Sequence, residues 1–150
     1  MDKDTFDVIE LEIAVFMRRA EAVRLAGMNG KELERAAYLL LRYLEKTGPI
    51  GIKALSEDLQ LDISTASRQI ASLEAKGYVV RAVDPQDARI NLLRVSDEVP
   101  ELLREVRRNR KRFYAELLEE WPEEDSRRFG ELLAKFNSTA ELRQKRRRDR

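Results

Sequence analysis

Ser64, Thr65, Ser67, Arg68 and Gln69 crowd into a single short stretch, and all of them carry side chains that hydrogen-bond well outside the backbone. Hydroxyls and amides of this size reach phosphate oxygens and base edges. A guanidinium matches the paired acceptors of guanine in two parallel bonds. A further cation, Arg89, follows Asp84-Pro85-Gln86-Asp87, and an arginine at the tip of a hairpin has the size and charge to enter a narrow minor groove. The chemistry these residues imply is recognition rather than bond-making. The 150-residue chain contains no Cys and no His. That removes disulfides, thiolate zinc sites, thiol redox sensing, the commonest general base and the commonest transition-metal ligand.

The elements that must position these residues can be read from periodicity. Ile63, Ala66, Ile70 and Leu73 recur on one helical face, while Thr65, Arg68, Gln69 and Ser72 recur on the opposite one, so one side packs and the other offers hydrogen bonds. Gly77 stops that helix, and either Asp62 or Ser64 can cap its start. Tyr78 to Val83 alternates toward the Asp84–Asp87 turn, and a second extended run follows from Arg89 to Val95, with Arg81, Arg89 and Arg94 around the turn. Before the helix, Ile52, Leu55 and Leu59 form the apolar edge of a shorter one with Ser56, Glu57 and Asp58 outward, and Gln60 to Ile63 supplies the connection. Two short helices, a glycine stop and a charged hairpin outline a winged helix-turn-helix. A polar helical face alone would equally suit an ordinary solvated helix; the hairpin that follows tips the balance.

The remaining chain reads as longer helices. Phe6, Ile9, Ile13, Phe16, Ala20 and Val23 step by three and four between Phe6 and Leu25, and a second set, Val8, Leu11, Val15 and Met17, lies partly off that stripe, so more than one flank is apolar. Gly27 to Gly30 is a short connection. Lys31 to Lys46 resumes helical spacing through Leu33, Ala37, Leu40, Leu41 and Leu44, and Gly48-Pro49 ends it. Ser96-Asp97-Glu98 is a capping cluster before a long helix with Leu102, Leu103, Val106, Phe113, Leu117 and Leu118 on its apolar side and a basic middle from Arg104 to Arg112. Trp121-Pro122 breaks the run, and Glu123, Glu124 and Asp125 suit the first turn of a last helix carrying Phe129, Leu132, Leu133 and Phe136. The tail from Arg143 to Arg150, nearly all basic, is predicted to fray. The fold class is therefore mainly α with a small β-hairpin wing (α+β).

Charge sets a constraint on the recognition reading. Charged residues make up 38% of the chain, yet Lys+Arg 29 against Asp+Glu 28 leaves only +1. Between residues 50 and 95 six cations (Lys53, Arg68, Lys76, Arg81, Arg89, Arg94) face six acids (Glu57, Asp58, Asp62, Glu74, Asp84, Asp87). A polyanion can be bound only if the cations sit on the binding face and Glu57, Asp58 and Glu74 turn elsewhere. Residues 101–150 hold 15 Lys+Arg and 11 Asp+Glu, a surplus of about four. No run approaches the roughly 18 apolar residues of a membrane span, so no membrane partner is expected and the expected location is cytoplasmic.

The order of these pieces resembles the MarR (multiple-antibiotic-resistance regulator) family of winged helix-turn-helix transcription factors. The resemblance is carried by Ser56-Glu57-Asp58-Leu59, Ser64-Thr65-Ala66-Ser67-Arg68, Leu73-Glu74-Ala75-Lys76-Gly77-Tyr78 and Asp84-Pro85-Gln86-Asp87-Ala88-Arg89. It implies a single MarR-like chain over 1–150, with residues 50–95 as the DNA-binding core, 5–26 and 97–142 as dimerisation helices and 143–150 as a basic tail. It also implies a homodimer on double-stranded DNA at a pseudo-palindromic operator, acting as a repressor. By the same resemblance Ser64, Thr65, Ser67, Arg68 and Gln69 fall where the family meets the major groove, Arg89 on its minor-groove wing arginine, and Asp87 on the acid that orients it. Two departures stand out: Ala88 replaces an arginine common between that Asp and Arg, and Val95-Ser96-Asp97-Glu98 departs from the usual Leu-Thr opening of the fifth helix. Family members often respond to small aromatic or phenolic effectors; Phe16, Tyr38, Arg42 and Phe113 could line such a site, but aromatics at helical spacing are more often core, and no ligand residue is assigned. The absence of Cys argues against the thiol-triggered branch.

Two other classes are weighed against this one. A winged-helix interaction module without specific DNA binding is permitted by the neutral core, though Arg68 and Arg89 argue against it. An enzyme would have to use Glu119, Glu120, Glu123, Glu124 and Asp125, the only dense carboxylates, which read better as helix-end acids. No enzymatic activity and no cofactor are expected.

Overall fold

A computed structural model describes residues 3–26 and 33–150. The predicted Gly27–Gly30 connection and Lys31 lie outside these residues. The chain divides into two units, 1–33 and 34–150. In the first, α1 (Lys3–Ala26) is one continuous helix, as its spacing predicts. Both of its apolar sets stand open: Phe6, Val8, Leu11, Phe16 and Met17 are each more than half exposed.

The second unit runs α2 (Arg35–Thr47), α3 (Ile52–Asp58), α4 (Ile63–Ala75), β1 (Val79–Asp84), β2 (Asp87–Val95), α5 (Val99–Leu117) and α6 (Glu123–Arg148). Its core gathers one face from each of the first six. Leu40, Leu41 and Leu44 of α2, Leu55 of α3, Ala66, Ile70 and Leu73 of α4, Val79 and Leu93 of the hairpin, and Val99, Leu103 and Val106 of α5 are buried together, α2 packing on α4, β2 and α5, and α3 on α4 and β2. Each fully buried aliphatic side chain contributes about 1.5–3 kcal/mol relative to exposure, which is what clamps α3 and α4 at a fixed angle. α6 buries nothing: Phe129, Leu132, Leu133, Phe136 and Leu142 are all exposed.

The hairpin is antiparallel with a two-residue Pro85-Gln86 connection; Val79 faces Val95 and Val83 faces Asn91, and the register slips between Val83 and Asp84. Ile50 adds a bridge that sequence periodicity does not reveal, exchanging both backbone hydrogen bonds with Leu93 at 3.1 and 2.8 Å. It lies between α2 and α3 and ties the helix-turn-helix to the wing.

Several expectations are corrected. α2 begins at Arg35 rather than Lys31. Ser56 does not face outward: it is buried, because its hydroxyl donates to the Lys53 carbonyl at 2.8 Å and so carries no unmet polar group inside. Ile63 is exposed despite its place on the apolar period, since a helical side chain leans back over the preceding turn and the first residue of α4 has none beneath it. Asp62 is the N-cap of α4 but makes no side-chain cap bond, and neither Asp62 nor Ser64 closes the helix as expected. The Ser96 cluster is not a side-chain cap either; α5 starts from Glu98 without one, and the Ser96 hydroxyl is buried without a partner. The basic tail does not fray: α6 continues to Arg148, because Lys, Arg and Gln are good helix formers and cations in the last turn complement the helix dipole.

Two glycines hold the boundaries. Gly77 has φ 78°, with its N–H donating to the Glu74 carbonyl and that of Tyr78 to Leu73, both at 2.9 Å, the paired closure of a left-handed helix end. Gly48 has φ 78° and ψ −164°, a region essentially reserved for glycine. An added Cβ meets nothing within 4 Å at Gly48 and only the Glu98 carboxylate at 3.8 Å near Gly77, so any cost of substitution is conformational. Gly77→Ala is expected to cost about 1–2 kcal/mol and Gly48→Ala about 1–3 kcal/mol. Urea titration checks both; an unchanged midpoint in either variant contradicts the assignment.

Candidate nucleic-acid interface

α4 carries the predicted recognition residues on the face turned away from the core. Ser64 and Arg68 are exposed on that face and Thr65 and Ser67 partly buried on its two flanks, while Gln69, also partly buried, lies nearest the packed side, about 40° from Leu73 and 60° from Ala66. The Arg68 guanidinium donates to the Thr65 hydroxyl at 3.5 Å, a long contact that leaves most of its donor fork open. At the wing, Asp87 accepts from the Arg89 backbone N–H at 3.0 Å and from its Nε at 3.2 Å, with Nη2 3.4 Å from the second carboxylate oxygen. The Arg89 side chain is nevertheless 90% exposed, so it is oriented at its root and open at its tip. The Asp87 carboxyl is held below its ordinary value, first by the Arg89 side chain and then by the Arg89 backbone N–H. Asp84 closes the turn by accepting from the Gln86 N–H at 2.9 Å.

Residues that spacing does not single out set the position of this face. Arg81 leaves the wing tip and binds Glu74 of α4 at 2.8 Å, so the hairpin is pinned to the helix and one acid is neutralised. Arg94 bonds the neighbouring Val95 carbonyl. Tyr43 of α2 donates its hydroxyl to the Asp58 carboxylate of α3. No local period links Glu74 with Arg81 or Tyr43 with Asp58; only opposite chemistry flanking a turn could have suggested the first pair.

At the other end of the unit, Tyr38 is buried with the Arg110 guanidinium 4.2 Å from its ring centre and that of Arg42 at 5.7 Å. The crevice beside it, lined by Arg42, Glu45, Pro100, Leu103, Arg104 and Arg107, holds only about 30 Å³. A shallow groove of about 380 Å³ lies at the α5–α6 junction, lined by Trp121, Pro122, Phe129 and Leu132, with the Trp121 and Phe129 rings edge to face at 5.7 Å. Among the described residues no cluster of acids is placed to hold a metal ion, and Glu124 is paired with Arg127, which also binds Glu131 at 2.7 Å.

Residues 33–90 match the MarR family description. The HTH-type transcriptional regulator YxaD of Bacillus subtilis (strain 168), itself uncharacterized, is 39% identical over 136 residues, covering 91% of this chain and 95% of that protein. This chain belongs to the MarR family. Among solved structures, a MarR family protein from Bacillus stearothermophilus superposes with a TM-score of 0.76 at 20% identity, over 93% of this chain and 98% of that one. Streptococcus pneumoniae FabT, solved in complex with DNA, gives a TM-score of 0.69 at 21% identity, over 93% and 98%. The MarR member described here is thus a DNA-binding transcriptional regulator with a winged helix, not an enzyme. None of its described helices is long and apolar enough to cross a membrane.

The Tyr43–Asp58 bond joins the family member's α2 to its helix-turn-helix and has a pH signature. The tyrosine is pushed up to about 12, first by the hydrogen bond to Asp58, then by desolvation and by the Asp58 charge. A group whose folded value is raised contributes stability that is complete below its unfolded value of about 10 and is lost as pH rises toward 12. Spectrophotometric titration of tyrosine should show late ionisation that Asp58→Asn brings back toward the ordinary range; coincident curves for wild type and variant would contradict the bond.

Proposed function

We propose that this MarR protein is a homodimeric repressor that reads a pseudo-palindromic operator with α4 in the major groove and Arg89 in the flanking minor groove. The observation that carries this reading is the pairing of an open hydrogen-bonding face on α4 with a wing arginine oriented at its base and free at its tip. Ser64, Thr65, Ser67 and Arg68 are then the contacts to base edges and phosphates, with Gln69 at the margin, and Asp87 is the wing support. FabT supports the mode of use, since a chain of the same fold was solved on DNA. Repression follows from promoter occlusion, which needs no further contact surface, and a DNA-reading chain works in the cytoplasm.

The dimer is supported by what a single chain leaves uncovered. α1 and α6 each present an apolar stripe to solvent, and the Trp121–Phe129 groove continues the second of them. Residues 5–26 and 97–142 are proposed as the dimerisation helices and 50–95 as the reading core. A two-fold pair would set its recognition helices about 34–36 Å apart, one turn of the duplex. A small aromatic or phenolic effector completes the reading. Tyr38 stacked with two guanidinium groups supports it, and because the crevice there is far below the roughly 300 Å³ of ordinary ligand sites, an effector must open the α2–α5 contact, which couples its binding to the reading head.

Selection of bound duplexes from a genomic pool tests operator and symmetry together: a two-fold motif is expected, and no enrichment would sink the reading. On that motif Arg68→Ala should weaken binding by about 1–3 kcal/mol, roughly 5- to 150-fold, and relax preference at one position per half-site. Arg89→Ala should lower affinity and the salt slope together, with Asp87→Asn a weaker copy of it. Sedimentation provides the check on assembly, the wild type running as a dimer and Leu133→Glu combined with Phe136→Glu as a monomer. A wild-type monomer at micromolar concentration would refute the assembly.

A further inference from the structure

The basic end of α6 is unused by the reading above, and its position is informative. The Gln60 amide, in the turn between α3 and α4, donates to the Glu141 carbonyl at 3.4 Å, which brings the end of the last helix beside the helix-turn-helix of the same chain. Gln60 is also the one described non-glycine residue with positive φ, 56°, and its backbone N–H is held by the Glu57 carbonyl at 3.2 Å. From Glu141 the helix continues to Arg148, about 10 Å further at 1.5 Å per residue.

We infer that the exposed cations Arg143, Lys145, Arg146, Arg147 and Arg148 form a second, sequence-independent contact to the phosphate backbone beside each half-site. The approach to α4 needs one. Glu57, Asp58 and Asp62 surround the α3–α4 turn, and although Tyr43 occupies Asp58, Glu57 and Asp62 are exposed and oppose a polyanion. The tail supplies the missing charge. At 100° per residue the five cations on its helical part point around the whole circumference of α6, so any side facing a duplex presents some of them; Arg150 follows, and Glu141 and Asp149 are the only acids between residues 141 and 150. All of these residues are exposed, and they lie past residue 142, beyond the stretch proposed to dimerise.

The inference rests on the DNA-binding reading, and the test separates the two. R143Q/K145Q/R146Q/R147Q/R148Q, in the full-length chain, keeps helix propensity while removing the charge. Binding to the selected operator and to an unrelated duplex is measured across a salt series, with sedimentation alongside. The slope of log K against log salt is expected to fall by at least about two, near 0.9 for one lost phosphate contact per protomer in the dimer. The ratio of operator to unrelated affinity stays constant, whereas Arg68→Ala changes that ratio. If the wild type shows no salt-dependent binding to any duplex, the DNA reading itself fails. A wild type that binds while the neutralised variant keeps its slope overturns the tail contact alone, as does a variant that loses affinity because it no longer dimerises.

Discussion

A reading head with six cations and six acids between residues 50 and 95 can approach a polyanion only if its acids are occupied, and the tertiary structure occupies most of them. Glu74 is held by Arg81, Asp58 by the Tyr43 hydroxyl, Asp84 by a backbone N–H and Asp87 by Arg89. These contacts lie at the surface, where an isolated ion pair contributes little to stability. Their importance is positional. Each of these acids is consumed on the side of its partner, while Lys53, Arg68, Lys76, Arg94 and the tip of Arg89 stay exposed, and two of the same contacts fasten the wing to α4 and α2 to α3.

The apolar core beneath makes that arrangement rigid. Leu55, Ile70 and Leu73 are fully buried, with α4 packed on α2, α3 and β1, so α4 cannot shift without opening the interior. The Ile50–Leu93 bridge adds a backbone tie from the segment before α3 to the wing. Reading helix and wing therefore share one body, and an event at the α2–α5 contact around Tyr38 would reach both together. The long helices differ: α1 and α6 each expose an apolar stripe.

Much of this was legible in the chain. The Ile63–Leu73 period, the Gly77 stop, the hairpin turn and the Pro122 break each depend on neighbours a few residues apart, and local sterics decide such features. The errors fall where a longer-range or finer balance ruled. Ser56 looks like an outward polar residue until its bond to Lys53 lets it be buried, and Ile63 looks like core until the start of α4 removes its support. Arg143–Arg148 look like a fraying tail by charge, yet helix propensity and the dipole keep them helical.

The sequence by itself determined the kinds and order of elements, the absence of thiol and imidazole side chains, and which polar residues share one face of α4, because these follow from composition and from spacings within one or two helical turns. Only the tertiary structure decided which charges remain available. Arg81 and Arg89 are the same residue type in the same hairpin, but one is spent on Glu74, seven positions away across a glycine turn, and the other stands 90% exposed on Asp87. Distances between elements set that difference, as they set the closeness of Gln60 to Glu141, which lie 81 positions apart. No local period encodes either.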